Sequence, residues 1–297
     1  MIGAFVTSAA PDRHLGLDPG LLRYRDRACL RLLYRTDVAT TSQLVTLVYR
    51  RRQIAQKRLA ALHRLGYLDR AVLPPTNRGG APLAFRLSAR ARRRLGWHPL
   101  TRLRAGTQLR HSLNVVETVC ALVRTSAPPI EPVVQLWYPE CNATALLRSV
   151  YPDSVVVLQA AGGSAALCLE IDEATEHGPQ LRAKLVRYAD ALPGRAGWHA
   201  LFVAPTLERV EFLARLARRN GGYPGLRGRA WALVLAELAE TGLAATVVPL
   251  FAGAPRTTLR EVVCDPRARR CPTPVATDAW LRVLAYGADE DTAEALA

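Results

Sequence analysis

Residues 151–176, YPDSVVVLQAAGGSAALCLEIDEATE, constrain the fold more than any other stretch of the chain. Two apolar runs flank a Gly-Gly pair, which is the pattern of two strands joined by a turn near Gly162 and Gly163. Three acids interrupt this apolar background. Asp153 opens the first run, and Glu170 and Asp172 close the second. Side chains two residues apart point to one face of a strand, so Glu170 and Asp172 share a face and Ile171 takes the other. Ionised carboxylates on a strand that otherwise reads as core are costly unless a cation or a basic side chain meets them. Two partners are open at this point. One is a divalent metal; the other is a structural cluster with Lys184, Arg182 or Arg187.

Charge divides the chain. Of the 297 residues, 1–110 carry 22 Lys and Arg against 5 Asp and Glu, and the remainder carry 18 against 20. The overall charge of +15 therefore resides in the first third. A bias toward arginine explains why only Lys57 and Lys184 are lysines, but it does not explain this confinement. A basic segment joined to a balanced one points to a polyanion-binding module attached to something else.

Within the basic third, Ala28, Leu30, Leu32 and Leu33 have the spacing of an amphipathic helix. A short second helix carries Leu44, Leu47 and Val48, with Thr41 or Ser42 expected to cap it. A third runs from about Arg51 to Leu65, with Ala55, Leu59, Leu62 and Leu65 inward and Gly66 ending it. YLDRAVL and APLAFRLS then read as strands around the turn-rich PPTNRGG. Three helices followed by a hairpin describe a winged helix-turn-helix over residues 23–96, after a flexible start at 1–22. The outer face of the third helix presents Arg51, Arg52, Gln53, Gln56 and Lys57, and the hairpin tip presents Arg78. Arg and Gln read base edges in a major groove, and Arg and Lys also meet phosphates. These six residues are the candidate contacts to double-stranded DNA. ARARRR, ending at Arg94, is expected on a fourth helix as a solvated face.

A linker at 97–109 leads to a second domain at 110–252 and an extension at 253–297. HSLNVVETVCALVR reads as a helix in which His111, Asn114 and Glu117 lie together, with His111 structural. PVVQLWYP, the two acidic-hairpin strands, a helix with Pro179 in its first turn, the strand WHALFVAP, a helix and the strand AATVVPLF follow. GLRGRAWALVLAELAETG is expected to be a helix, PRTTLREVVCDPRARRCPTP a loop, and the acidic tail frayed. The fold class is α/β, α+β overall, with a mixed sheet in the second domain. No run of eighteen apolar residues and no phosphate-cradling glycine loop occurs, so neither a membrane span nor a nucleotide-driven enzyme is supported. The six cysteines include no C-x-x-C pair, and most sit in apolar patterns. The reading is a reduced, cytoplasmic protein without a zinc site.

The order of the second domain resembles the restriction-endonuclease-like, or PD-(D/E)xK, nuclease fold. That resemblance maps Pro152-Asp153 onto the PD pair and Glu170-Ile171-Asp172 onto ExK, with an aspartate where the family has its lysine. It implies Asp153, Glu170 and Lys184 as catalytic residues, with Lys184 moved onto the following helix four residues before Tyr188. It also implies Asp153, Glu170, Asp172 and Glu117 as ligands of Mg²⁺ or Mn²⁺. The whole arrangement resembles, more narrowly, the replication-relaxation proteins over roughly residues 23–205. The carrying motifs are His111-Ser112-Leu113, Pro152-Asp153, Glu170-Ile171-Asp172 with Thr175, and Lys184 with Tyr188. That family implies a role in plasmid replication and DNA relaxation, with a nuclease-like domain that nicks or holds DNA. The alternative is a non-catalytic regulator of transcription or replication whose second domain forms a homodimer or recruits a partner.

Overall fold

The computed structural model describes residues 22–75, 80–95, 107–125, 132–139, 143, 146–147, 149–160, 163–219 and 222–265. The expected flexible start, Arg78 at the hairpin tip, most of the linker and the acidic tail lie outside them. The chain is mixed α/β, with a small three-stranded sheet and a seven-stranded mixed sheet among the described residues. It divides into two compact units, with the boundary between Val116 and Glu117.

In the first unit, α1 (Tyr24–Thr36) buries Ala28, Cys29, Leu30, Leu32 and Leu33. Strand β1 (Ala39–Thr40) leads into α2 (Thr41–Leu44), which continues as a π-helical turn through Val45–Tyr49. The cap of α2 is Thr40 rather than Thr41 or Ser42. The Thr40 hydroxyl accepts from the Gln43 N–H at 3.3 Å, and the Gln43 side chain accepts from the Thr40 N–H at 2.9 Å. A glutamine three residues along selects Thr40, because only that spacing closes the reciprocal pair.

Helix α3 (Arg52–Arg64) buries Ala55, Leu59 and Leu62. It stops at Gly66, whose φ of 77° is readily adopted only without a Cβ. The Gly66 N–H donates to the His63 carbonyl and the Tyr67 N–H to the Leu62 carbonyl, both at 2.9 Å, which satisfies the last turn. Strands β2 (Leu68–Val72) and β3 (Leu83–Leu87) form the antiparallel hairpin, and β1 adds to β3, giving the order β1-β3-β2. Ser88 caps α4 (Ala89–Arg94), and here one arginine departs from the solvated-face expectation. Arg92 turns inward and is buried near Asp37.

A buried ion pair ties α1 to α3. The Asp26 carboxylate accepts from Arg58 through Nε at 3.1 Å and through Nη2, and from the Tyr49 hydroxyl at 3.3 Å. Asp26 is fully buried, so this network, and not solvent, satisfies its charge.

Helix α5 (Thr107–Arg124) opens four residues before the expected start and places its first half in the first unit and its last turns in the second. The second unit then builds β4 (Val133–Pro139), β5 (Ser154–Ala160), β6 (Gly163–Ile171), α6 (Gly178–Ala191), β7 (Trp198–Ala204) and α7 (Leu207–Arg218). It closes with β8 (Ala230–Val234), α8 (Leu235–Thr241), β9 (Thr246–Pro249), β10 (Thr257–Thr258) and α9 (Leu259–Cys264). The sheet order is β10-β9-β8-β7-β6-β5-β4. Strands β4, β5 and β6 are antiparallel, β6, β7 and β8 are parallel, and β9 returns antiparallel.

Cys168, Ala200 and Phe202 form one face of the core with Leu181, Leu185 and Tyr188 of α6 and Val210 and Leu213 of α7. Leu167 and Leu169 of β6, Leu201 of β7 and Leu233 of β8 are buried as well. Burial on both faces explains why these strands read as continuous apolar runs.

Two expectations are corrected here. AWALV is strand β8, not part of a helix; the α-helix is confined to the following seven residues. A short apolar run has no period that separates strand from buried helix, and parallel pairing with β7 decides it. The expected loop after Pro255 holds β10 and α9, the latter opened by a reciprocal cap between Thr258 and Glu261.

His199, on β7, is 5% exposed, and neither ring nitrogen has a hydrogen-bond partner among the described residues. Burial and then the nearby Arg229 charge push its pKa down to about 4. The unfolded chain therefore binds the proton first. The stability that depends on neutral His199 is full above about pH 6.5 and is lost as pH falls toward about 4. That loss is about 3 kcal/mol, from 1.36 kcal/mol per pH unit. Urea melts at these two pH values should show a smaller acid-induced loss in His199→Leu than in the wild type.

Candidate functional site

Strand β6 delivers Glu170 to the core face that carries Cys168, directly opposite α6. Lys184 and Tyr188, four residues apart on α6, share one helix face and meet Glu170 together. The Tyr188 hydroxyl donates to Glu170 Oε1 at 2.6 Å, and Lys184 Nζ lies 2.8 Å from Oε2. Lys184 Nζ also reaches Glu176 Oε1 at 3.2 Å. Glu170 is 2% exposed, and its pKa is raised above the ordinary carboxylate value. Burial is the main cause and the neighbouring Asp153 charge adds to it, while Lys184 and Tyr188 oppose both. The Tyr188 phenol is pushed well up by burial and by Glu170, so it remains a donor.

Asp153 sits just before β5. Its Oδ2 accepts the Ile171 N–H at 2.7 Å, which anchors its carboxylate beside the strand end that bears Glu170. The sheet and α6 thus bring together Asp153, Glu170 and Lys184 with Tyr188, all four of them singled out in the sequence.

Asp172 and Glu117 have other partners. Asp172 is buried just past the end of β6 and holds Arg209 of α7 in a fork, at 2.7 and 3.0 Å. It also accepts the Ala174 N–H at 2.8 Å, which shapes the turn at that residue's positive φ of 59°. Glu117 pairs with Arg124 on its own helix at 2.7 Å. Arg182 and Arg187 are exposed, so the basic partners are Lys184 and Arg209. Thr175 is exposed in the turn. Arg209 escaped the sequence reading because it lies 37 residues from Asp172 and has no local pattern linking them.

As donors, the Asp153 and Glu170 carboxylates are hard oxygens of the kind Mg²⁺ and Mn²⁺ take. Lys184 now faces one oxygen of Glu170. Among the described residues, no group of three or more His, Cys, Asp and Glu side chains is placed to hold a metal ion.

In the first unit, Arg51, Arg52, Gln53, Gln56 and Lys57 are all exposed on or at the start of α3. The first turn of α3 contains no acid, so its N-terminal partial charge is uncompensated by a carboxylate there. Ile54 lies among them, 42% exposed. Arg58, next in line, is withdrawn into the Asp26 network and is not part of that surface.

A model of the replication-relaxation family matches residues 30–202, more than half of the chain, and the chain belongs to that family. Comparison with curated proteins and with solved structures found no match. Membership connects the chain with replication or relaxation of plasmids and mobile elements. Among the described residues, no helix is long and apolar enough to cross a membrane.

Proposed function

We propose that this is a cytoplasmic DNA-binding protein of plasmid or mobile-element replication, docking on duplex DNA through its first unit. The observation that carries this reading is the face of α3. Five long polar side chains are exposed on its first turns and N-cap, while Ala55, Leu59 and Leu62 are buried. The element order of that unit, with β1 joining a two-stranded hairpin, supports a winged helix-turn-helix in which α3 enters the major groove. Arg51, Arg52 and Lys57 then meet phosphates or guanines, and Gln53 and Gln56 meet base edges. Photo-crosslinking to a duplex with reactive bases tests this. Attachment should map to residues 51–57, and crosslinks confined to the second unit would overturn it.

A second reading is favoured by the convergence of Asp153, Glu170 and Lys184. The succession of the last turns of α5, an antiparallel β4-β5-β6 meander, α6 and a parallel β7 supports a restriction-endonuclease-like domain that acts on the docked DNA. Asp153 and Glu170 would hold Mg²⁺ or Mn²⁺, with Lys184 assisting the attacking water. A bound metal of this kind supplies charge stabilisation at phosphate and an acidified water.

Asp172, in the family's lysine position, is neutralised by Arg209 and acts structurally. Melting curves with and without metal decide the point. Metal should raise the wild-type Tm through native-state binding, and Asp153→Asn should abolish the rise. A metal-independent Tm sinks the nuclease reading and leaves the second unit as a scaffold that holds DNA or a partner.

A further inference from the structure

The acid cluster uses one end of the parallel strands, and a cavity of about 560 Å³ opens at the other. Glu170 lies near the end of β6, whereas His199 and Trp231 are the second residues of β7 and β8. Leu201 pairs in register with Trp231, so His199, two residues before Leu201, faces the same side as Trp231. Both line the cavity with Phe251, Arg227 and Arg229.

Two of these lining side chains hold three buried polar atoms with no partner among the described residues: both ring nitrogens of His199 and Nε1 of Trp231. Buried donors and acceptors are almost always met, by protein, water or ligand, and three unmet atoms on two lining side chains are unusual. No chemistry at Asp153 or Glu170 uses them.

The lining defines what fits. A neutral imidazole offers one donor and one acceptor, and the indole N–H a further donor. That is a match for the edge of a heterocyclic base. Trp231 and Phe251 meet edge to face, centroids 5.1 Å apart, and present an aromatic wall to a planar ring. Arg227 is exposed at the mouth, where a guanidinium can take a phosphate. Arg229 is partly committed, donating to the Arg195 carbonyl at 2.6 Å. Glu261 and Asp265 also line the mouth. Glu261 is occupied in capping α9, and Asp265 is exposed. The volume lies within the roughly 300–1,000 Å³ of small-molecule sites.

We propose that this cavity is a nucleotide-binding site. The His199 and Trp231 side chains turn their buried nitrogens toward the base edge, its ring lies on the aromatic wall, and its phosphate meets Arg227. The bound group is either a free nucleotide or an unpaired nucleotide of a DNA strand, since both present the same base and phosphate. The site is independent of the α3 face and of the acid cluster.

Displacement of a fluorescent AMP analogue from the full-length protein reports on this site alone. The analogue should bind the wild type at one site and be displaced by AMP. Inorganic phosphate should compete at least about tenfold more weakly, because the base supplies most contacts. His199→Leu and Trp231→Phe should each weaken analogue binding by at least about tenfold. Trp231→Phe keeps the packing on Phe251, so it remains informative if His199→Leu fails to fold. Displacement by a single-stranded oligonucleotide at lower concentration than AMP identifies the DNA strand as the source, and displacement by AMP at the lower concentration identifies the free nucleotide; either result upholds the site. Absence of analogue binding, together with no oligonucleotide-dependent protection from quenching that Trp231→Phe removes, overturns it. So does binding unchanged in both variants, or phosphate competing as well as AMP.

Discussion

Lys184→Met should destabilise the second unit by about 3–5 kcal/mol at pH 8, the usual cost of stranding one member of a buried ion pair. Lys184 Nζ is 2.8 Å from a Glu170 carboxylate that is 2% exposed, and Arg182 and Arg187, on the same helix, are exposed. The deficit should depend on pH, with a definite sign. Glu170's folded pKa is already raised by burial and by Asp153, and losing the ammonium raises it further. A carboxyl with a raised folded pKa makes the folded state bind more protons than the unfolded one, so stability falls as pH climbs above the ordinary carboxylate value. The variant should therefore approach the wild type near pH 5 and fall behind it as pH increases. Adding Glu170→Gln to Lys184→Met should recover most of the loss, because the amide oxygen still accepts from Tyr188 and no charge is buried. Urea denaturation at both pH values measures this. A single variant that matches the wild type at pH 8 would remove Lys184 from the cluster.

Replacing Arg51, Arg52 and Lys57 together with Ala should weaken duplex binding by roughly 3 kcal/mol or more, at about 1 per strong contact. All three are exposed, so the fold should be unaffected. Arg58→Ala is the instructive contrast. It lies one residue past Lys57 but serves buried Asp26, so it should lower stability by about 3 kcal/mol or more and affect DNA only through that. Binding titrations paired with thermal melts separate the two effects. Equal affinity in a folded triple variant would remove α3 from the interface.

What could be read in advance was the local and periodic part. Ala55, Leu59 and Leu62 at helical spacing fixed the buried side of α3, and therefore its exposed side. Glu170 stood out because a carboxylate on an apolar strand demands a partner, and the spacing of Lys184 and Tyr188 put both on one face of the next helix. Contacts between distant segments were not legible. Asp26 with Arg58 and Asp172 with Arg209 join residues 32 and 37 apart, and nothing in either neighbourhood marks the pairing. Glu117 was grouped with the acids by family resemblance, yet it pairs along its own helix with Arg124. AWALV was misread because five apolar residues suit a buried strand and a buried helix alike. The cavity at His199 was hidden for a similar reason. A histidine inside WHALFVAP reads as strand interior until β8 and the 251–265 segment close over it.

The most direct test of the account is the affinity of the whole chain for duplex DNA as salt is raised from about 50 to 200 mM. Each phosphate neutralised releases counterions, so log K should fall linearly with log salt at about −0.9 per contact. The wild type should show a steep slope, shallower by about 2–3 in the Arg51, Arg52 and Lys57 triple variant. Absence of duplex binding at low salt, or a slope identical in the two proteins, would contradict it.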